Sequence, residues 1–134
     1  LLEAQIEILE RKTLAAEIKY WEKQITNPEI KNILNRMSKV AHIIHEKDPH
    51  AGEVFFMRHA ETVTKLLKQY YMIEISDMQS EEIKASLTRI AESVSLTGYA
   101  FEQELSNLFQ ADMLDIDAES KAYLQSLKNR GLIN

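Results

Sequence analysis

The chain has 134 residues, 45% hydrophobic and 28% charged, with 21 acidic against 16 basic side chains and a formal net charge of −5. A single domain of this size buries about two thirds of the surface its unfolded chain exposes, enough for a core without covalent staples. The absence of cysteine excludes disulfides, thiolate metal sites and cysteine nucleophiles, and interspersed charges with a negative balance argue against a nucleic-acid partner.

The chain opens at Leu1 already inside a helical pattern, and no apolar run reaches the roughly 18 residues that a membrane span requires. The expectation is one soluble domain over 1–134, with membrane association possible only through an absent N-terminal segment. Leu2, Ile6, Leu9, Thr13, Ala16 and Tyr20 recur at helical spacing, and Leu14, Ile18, Trp21 and Ile25 make a second, offset stripe. Residues 1–26 therefore form a helix with contacts on two sides, or a projecting coiled-coil stalk.

Asn27-Pro28-Glu29 then supplies a polar cap and a proline at the first helical position, a combination that ends one helix and starts another. The second helix carries Ile30, Ile33, Met37, Val40 or Ala41, and Ile44, with Lys31, Asn35, Ser38 and Lys39 on its polar side. Asp48-Pro49-His50 repeats the punctuation. The third helix is expected over about residues 53–74, with Phe56, His59 or Ala60, Val63, Leu67, Tyr70 and Ile73 or Glu74 at successive turns. Gly52 is expected to delay its start, since glycine inside a helix costs about 1 kcal/mol against alanine.

Ser80 followed by Glu81 and Glu82 opens the fourth helix, in which Ile83, Leu87, Ile90, Val94, Thr97, Phe101, Leu105 and Leu108 continue past Gly98, a close-packing position. Asp117 followed by Glu119 looks like a further start, and Gly131 after Asn129-Arg130 like a stop. A short fifth helix over 118–130, bearing Tyr123, Leu124 and Leu127, would then fold back as a cap. The expected fold is all-α: an antiparallel bundle of about five amphipathic helices with a long fourth helix and a short C-terminal capping helix.

Candidate chemistry is sparse. His42, His45 and Glu46 share a face of the second helix at one-turn spacing compatible with a metal, with His50 or His59 as further ligands if the chain folds back. Asp112, Asp115, Asp117 and Glu119 lack the glycine and terminal glutamate of a calcium loop. Phosphate-cradling glycine loops, a glycine-flanked serine and the zinc-protease histidine pair are absent, and no motif calls for a cofactor. The adjacent pairs Phe55/Phe56, Tyr70/Tyr71 and Tyr20/Trp21 cannot each face one way, so one member either packs on a different neighbour or contributes to an interface.

Ile30 to Ile44, Phe55 to Tyr70 with its Thr62-Val63-Thr64-Lys65-Leu66-Leu67 centre, Phe101-Glu102-Gln103-Glu104-Leu105, and Leu114-Asp115-Ile116-Asp117-Ala118-Glu119 followed by Leu127-Lys128 and Gly131-Leu132 together resemble the bacterial 5-bromo-4-chloroindolyl phosphate hydrolysis protein family. The likeness spans about residues 28–132. It implies a small helical protein associated with hydrolysis of a chromogenic phosphate ester, with a partner from the toxic anion resistance family linked to tellurite, and a cytoplasmic place that includes the inner face of the membrane. Where relatives tend to show two tyrosines and a proline, this chain has Arg58-His59-Ala60-Glu61, which lets the third helix run straight. The favoured expectation is a non-enzymatic accessory or interaction protein using Tyr70, Tyr71, Lys65 and Lys68. The alternative is a weak metal-dependent phosphomonoesterase using His42, His45 and Glu46.

Overall fold

A computed structural model describes residues 13–134, and every regular element among them is helical: α1 (Leu14–Gln24), α2 (Pro28–Lys47), α3 (Pro49–Ser76) and α4 (Glu81–Asn129). Each helix starts on a short polar side chain that takes up amide hydrogens left free by the first turn. Thr13, extended at φ −132° and ψ 154°, accepts from the Ala16 N–H. The Asn27 side chain accepts from the Glu29 and Ile30 N–H groups, and Asp48 accepts from those of His50 and Ala51. The Ser80 hydroxyl accepts from the Ile83 N–H at 3.2 Å. Pro28 and Pro49 occupy first-turn positions, as their neighbours imply.

Three sequence expectations need correction. The expected five-helix bundle with a C-terminal cap is four helices among the described residues, and 118–130 is not a separate element, because α4 runs unbroken for 49 residues from Glu81 to Asn129. Aspartates at 112, 115 and 117 lower helix propensity by only tenths of a kcal/mol each, about 0.7 at most, and neither glycine nor proline lies between Gly98 and Gly131 to end the helix. The true stop is Gly131, at φ +72°, where its N–H bonds Lys128 O and the Leu132 N–H reaches back to Leu127 O in a Schellman closure. Thr13, expected as a stripe member, is instead the cap of α1. The stripe residues Leu2, Ile6 and Leu9, and any stalk they would form, lie outside the described residues.

The third correction concerns Gly52, which lies inside the first turn of α3 and donates its N–H to Asp48 O at 2.9 Å. A Cβ there would fall 2.6 Å from His45 Nδ1 and 2.8 Å from His45 Cα. The glycine is thus a close-approach residue between α2 and α3, and α3 starts at Pro49 instead of near residue 53.

The chain divides into two units, one ending at Glu102 and the other Gln103–Asn134. In the first, α1 packs on α2 and α3, which also pack on each other. Leu14, Ile18, Trp21 and Ile25, Leu34, Met37 and Ile44, and Phe55, Val63 and Leu67 form the apolar centre. The N-terminal part of α4 completes it with Val94 and the fully buried Phe101, whose ring sits 4.5 Å from that of Phe55 in an edge-on contact. Leu87, expected to be mostly buried with these, is half-buried.

Two polar contacts fix the α1–α2 turn. The Glu74 carboxylate near the end of α3 accepts from the Thr26 N–H and the Asn27 N–H, both at 2.9 Å, and from the Thr26 hydroxyl at 3.2 Å. Lys31 Nζ donates to the carbonyls of Glu22 at 2.6 Å and Ile25 at 3.2 Å, closing the C-terminal end of α1 with a cation where the helix dipole favours one. No helix among the described residues is long and apolar enough to cross a membrane.

Candidate interaction surface

The histidine face of α2 does not close into a site. His42 and Glu46 are exposed, while half-buried His45 is turned to the Gly52 backbone. His59 lies on α3 against the rings of Phe55 at 4.6 Å and Phe101 at 5.3 Å, so it serves the apolar centre, and His50 is exposed beside its Asp48 cap. Among the described residues, no group of three or more histidine, aspartate or glutamate side chains is placed to hold a metal ion. That statement includes Asp112, Asp115, Asp117 and Glu119.

The tyrosine pair contributes little exposed area. Tyr70 is 5% exposed, and burial, with Glu74 and Glu29 adding, pushes its phenol above the ordinary value of 10.0. Tyr71 is half-buried with its ring 5.9 Å from that of Trp21. Lys65 and Lys68 are exposed, and Lys65 pairs with Glu61 across one turn at 3.0 Å, a solvated contact worth under about 1 kcal/mol. The two tyrosines and the two lysines therefore do not make one exposed aromatic surface.

A buried polar cluster that the sequence pattern did not show lies between α1 and α3. Glu17 is 0% exposed and its Oε1 accepts from Trp21 Nε1 at 2.9 Å and from the Thr64 hydroxyl at 2.8 Å. Such a group is tolerated in an apolar interior only when donors surround it. It joins two helices from within the apolar centre, a structural role. A charged residue at 17 inside an apolar stripe resembles a solvated position, and its partner Thr64 stands 47 residues away.

A cleft of about 270 Å³ lies between α2 and the N-terminal part of α4, walled by Ile33, Met37, Val40, Ser95, Gly98 and Tyr99. Arg36 and Glu102 pair across its rim. At that volume it falls short of the roughly 300–1,000 Å³ typical of small-molecule sites, and its charged groups satisfy each other.

Exposed apolar area is concentrated elsewhere, in Gln103–Asn134. Met113 is 54% exposed, Ile116 56%, Tyr123 64% and Leu124 45%. With Leu127 they fall within one side of α4, at intervals of three, seven, one and three residues. The same spacing that buries Val94 and Phe101 thus continues past residue 109, but there the side chains face solvent. Its signal was present in the sequence, where Tyr123, Leu124 and Leu127 were assigned to the underside of a capping helix. Scattered exposed apolar residues are ordinary, whereas an aligned run of them marks a surface that takes a partner.

Scans against family models, curated proteins and solved structures return no match.

Proposed function

We propose that the chain is a non-enzymatic helical interaction protein whose docking surface is the apolar stripe of α4 between Met113 and Leu127. The observation that carries this reading is the alignment of half-exposed and exposed apolar side chains on one face of the helix within Gln103–Asn134. The resemblance in the sequence extends the proposal to an accessory role in bacterial toxic-anion, tellurite-linked, resistance or envelope stress. A toxic anion resistance family protein is its partner class, and the cytoplasmic side of the membrane its place of action.

A hydrolytic role would ask His42, His45 and Glu46 to activate water and hold a phosphoryl group, which needs donors and a nucleophile within hydrogen-bond reach. His45 faces the Gly52 turn and no third ligand joins the set among the described residues. The test is turnover of a chromogenic phosphomonoester by purified protein, metal-free and with magnesium, manganese or zinc, beside the His42→Ala/His45→Ala double variant. The proposal expects no protein-dependent turnover from either. Repeated turnover that tracks the wild-type protein and disappears in the variant overturns it.

A further inference from the structure

We propose that residues 81–102, the first half of α4, form a strap that opens from α2 and α3 in one piece while α1–α3 stay folded. The proposal does not rest on the apolar stripe beyond Gln103. What the strap covers is apolar: the Phe101 ring meets that of Phe55 edge-on, Val94 and Thr97 line one crevice with Met37, Val63 and Leu67, and Gly98 faces Met37. A face shared by α2 and α3 is thus filled by the chain's own helix and is presented only when that helix leaves.

The cover fits incompletely. Within residues 81–102 the buried side chains are Val94 and Phe101, whereas Ile83, Leu87 and Ile90 are half-buried and Leu96 and Tyr99 face solvent. The cleft of about 270 Å³ beside Met37 and Gly98 leaves part of the α2–α4 contact without partner atoms.

Polar ties differ in kind as well. α1, α2 and α3 are joined by groups that bridge elements: Glu17 takes the Thr64 hydroxyl, Glu74 takes the amide hydrogens of Thr26 and Asn27, and Lys31 closes the last carbonyls of α1. Among the described residues, the polar tie of residues 81–102 to the other helices is the Arg36–Glu102 pair, whose side chains are 75% and 35% exposed, so solvent screens it. At its start the strap is joined to α3 through residues 77–80, all exposed, with Asp77 left-handed at φ 55°. An element with few buried side chains, a screened polar tie and an exposed connection opens at lower free energy than the body it covers.

Native-state hydrogen exchange of the full chain, read by mass spectrometry on peptides from each helix, tests this. Amides of residues 90–102 are expected to exchange together, about tenfold or more faster than those in the middle of α2 and α3. The chain has no cysteine, so Met37→Cys/Gly98→Cys supplies one defined crosslink. A Cβ at 98 lies 3.2 Å from Met37 Cγ, the place a cysteine sulfur would take, which is close enough for a disulfide. Oxidising that pair is expected to slow residues 90–102 to the rate of α2 and α3, and reducing it to restore the fast exchange. A single rate shared by all four helices in the wild-type chain overturns the proposal, since α4 would then leave only when the whole body unfolds. Exchange over residues 90–102 that stays fast with the crosslink closed also overturns it, because that is local fraying and not the opening of a strap.

Discussion

Two glycines on helical backbone make opposite demands. At Gly52 a Cβ would strike His45 Cα at 2.8 Å, an atom of the neighbouring helix backbone that cannot swing away. At Gly98 the nearest atom is Met37 Cγ at 3.2 Å, part of a flexible side chain. Gly52→Ala is therefore expected to destabilise by about 1–3 kcal/mol despite alanine's better helix propensity. In Gly98→Ala the propensity gain offsets most of the crowding, leaving a net change under about 1 kcal/mol by urea denaturation. Thr64→Val keeps shape but removes the hydroxyl that donates to buried Glu17, and is expected to cost about 1–3 kcal/mol. Trp21 fluorescence, from a ring bonded to the same carboxyl oxygen, reports that unfolding directly. Tyr70 gives the pH dependence its sign. Its folded value lies above the 10.0 of an ordinary tyrosine, so stability is fully present below pH 10 and is lost as pH rises through the folded value, because the unfolded chain ionises first. Tyr70→Phe is expected to remove that share of the alkaline loss, read as the denaturation midpoint against pH.

At the scale of the element, α4 holds the widest gap between pattern and structure. Phe101 is fully buried beside Phe55, and Phe101→Ala is expected to cost about 3–5 kcal/mol in chemical denaturation; a loss under about 1 kcal/mol would remove it from the core. The N-termini of α2 and α4 were legible because Asn27 and Ser80 are local caps whose effect needs no tertiary partner, and Gly131 was legible as a stop for the same reason; Asp48-Pro49 marked the break before α3, but Gly52 falsely suggested a later start. Asp117 misled because acidic residues favour a first turn but do not create one: without a preceding glycine or proline, the carboxylate simply faces water from within a longer helix. Thr13 misled in the other direction, since threonine at a stripe position passes for core. Glu17 and Glu74 could not be found from periodicity at all, because what buries the one and engages the other lies 47 and 48 residues away in sequence. Likewise, Tyr70 and Tyr71 advertised a surface by adjacency, whereas helix packing turned one into the core and laid the other against Trp21.

For the whole molecule, exposed large apolar side chains are denser in Gln103–Asn134 than before it. No buried side-chain nitrogen or oxygen among the described residues lacks a hydrogen-bond partner. Gln103–Asn134 leaves Met113, Ile116 and Tyr123 facing solvent along one apolar seam. Substitutions in that seam are expected to leave the thermal stability of the remainder nearly unchanged, within about 0.5 kcal/mol, since exposed positions contribute little to folding. The central claim is that this seam is the functional surface. Quantitative affinity capture of the complete native protein from extract of its own cells in mild detergent tests it most directly, with wild type compared to Ile116→Asp/Tyr123→Asp. The account predicts specific partners that are recovered with wild type and lost with the variant. Equal recovery by both proteins would contradict it.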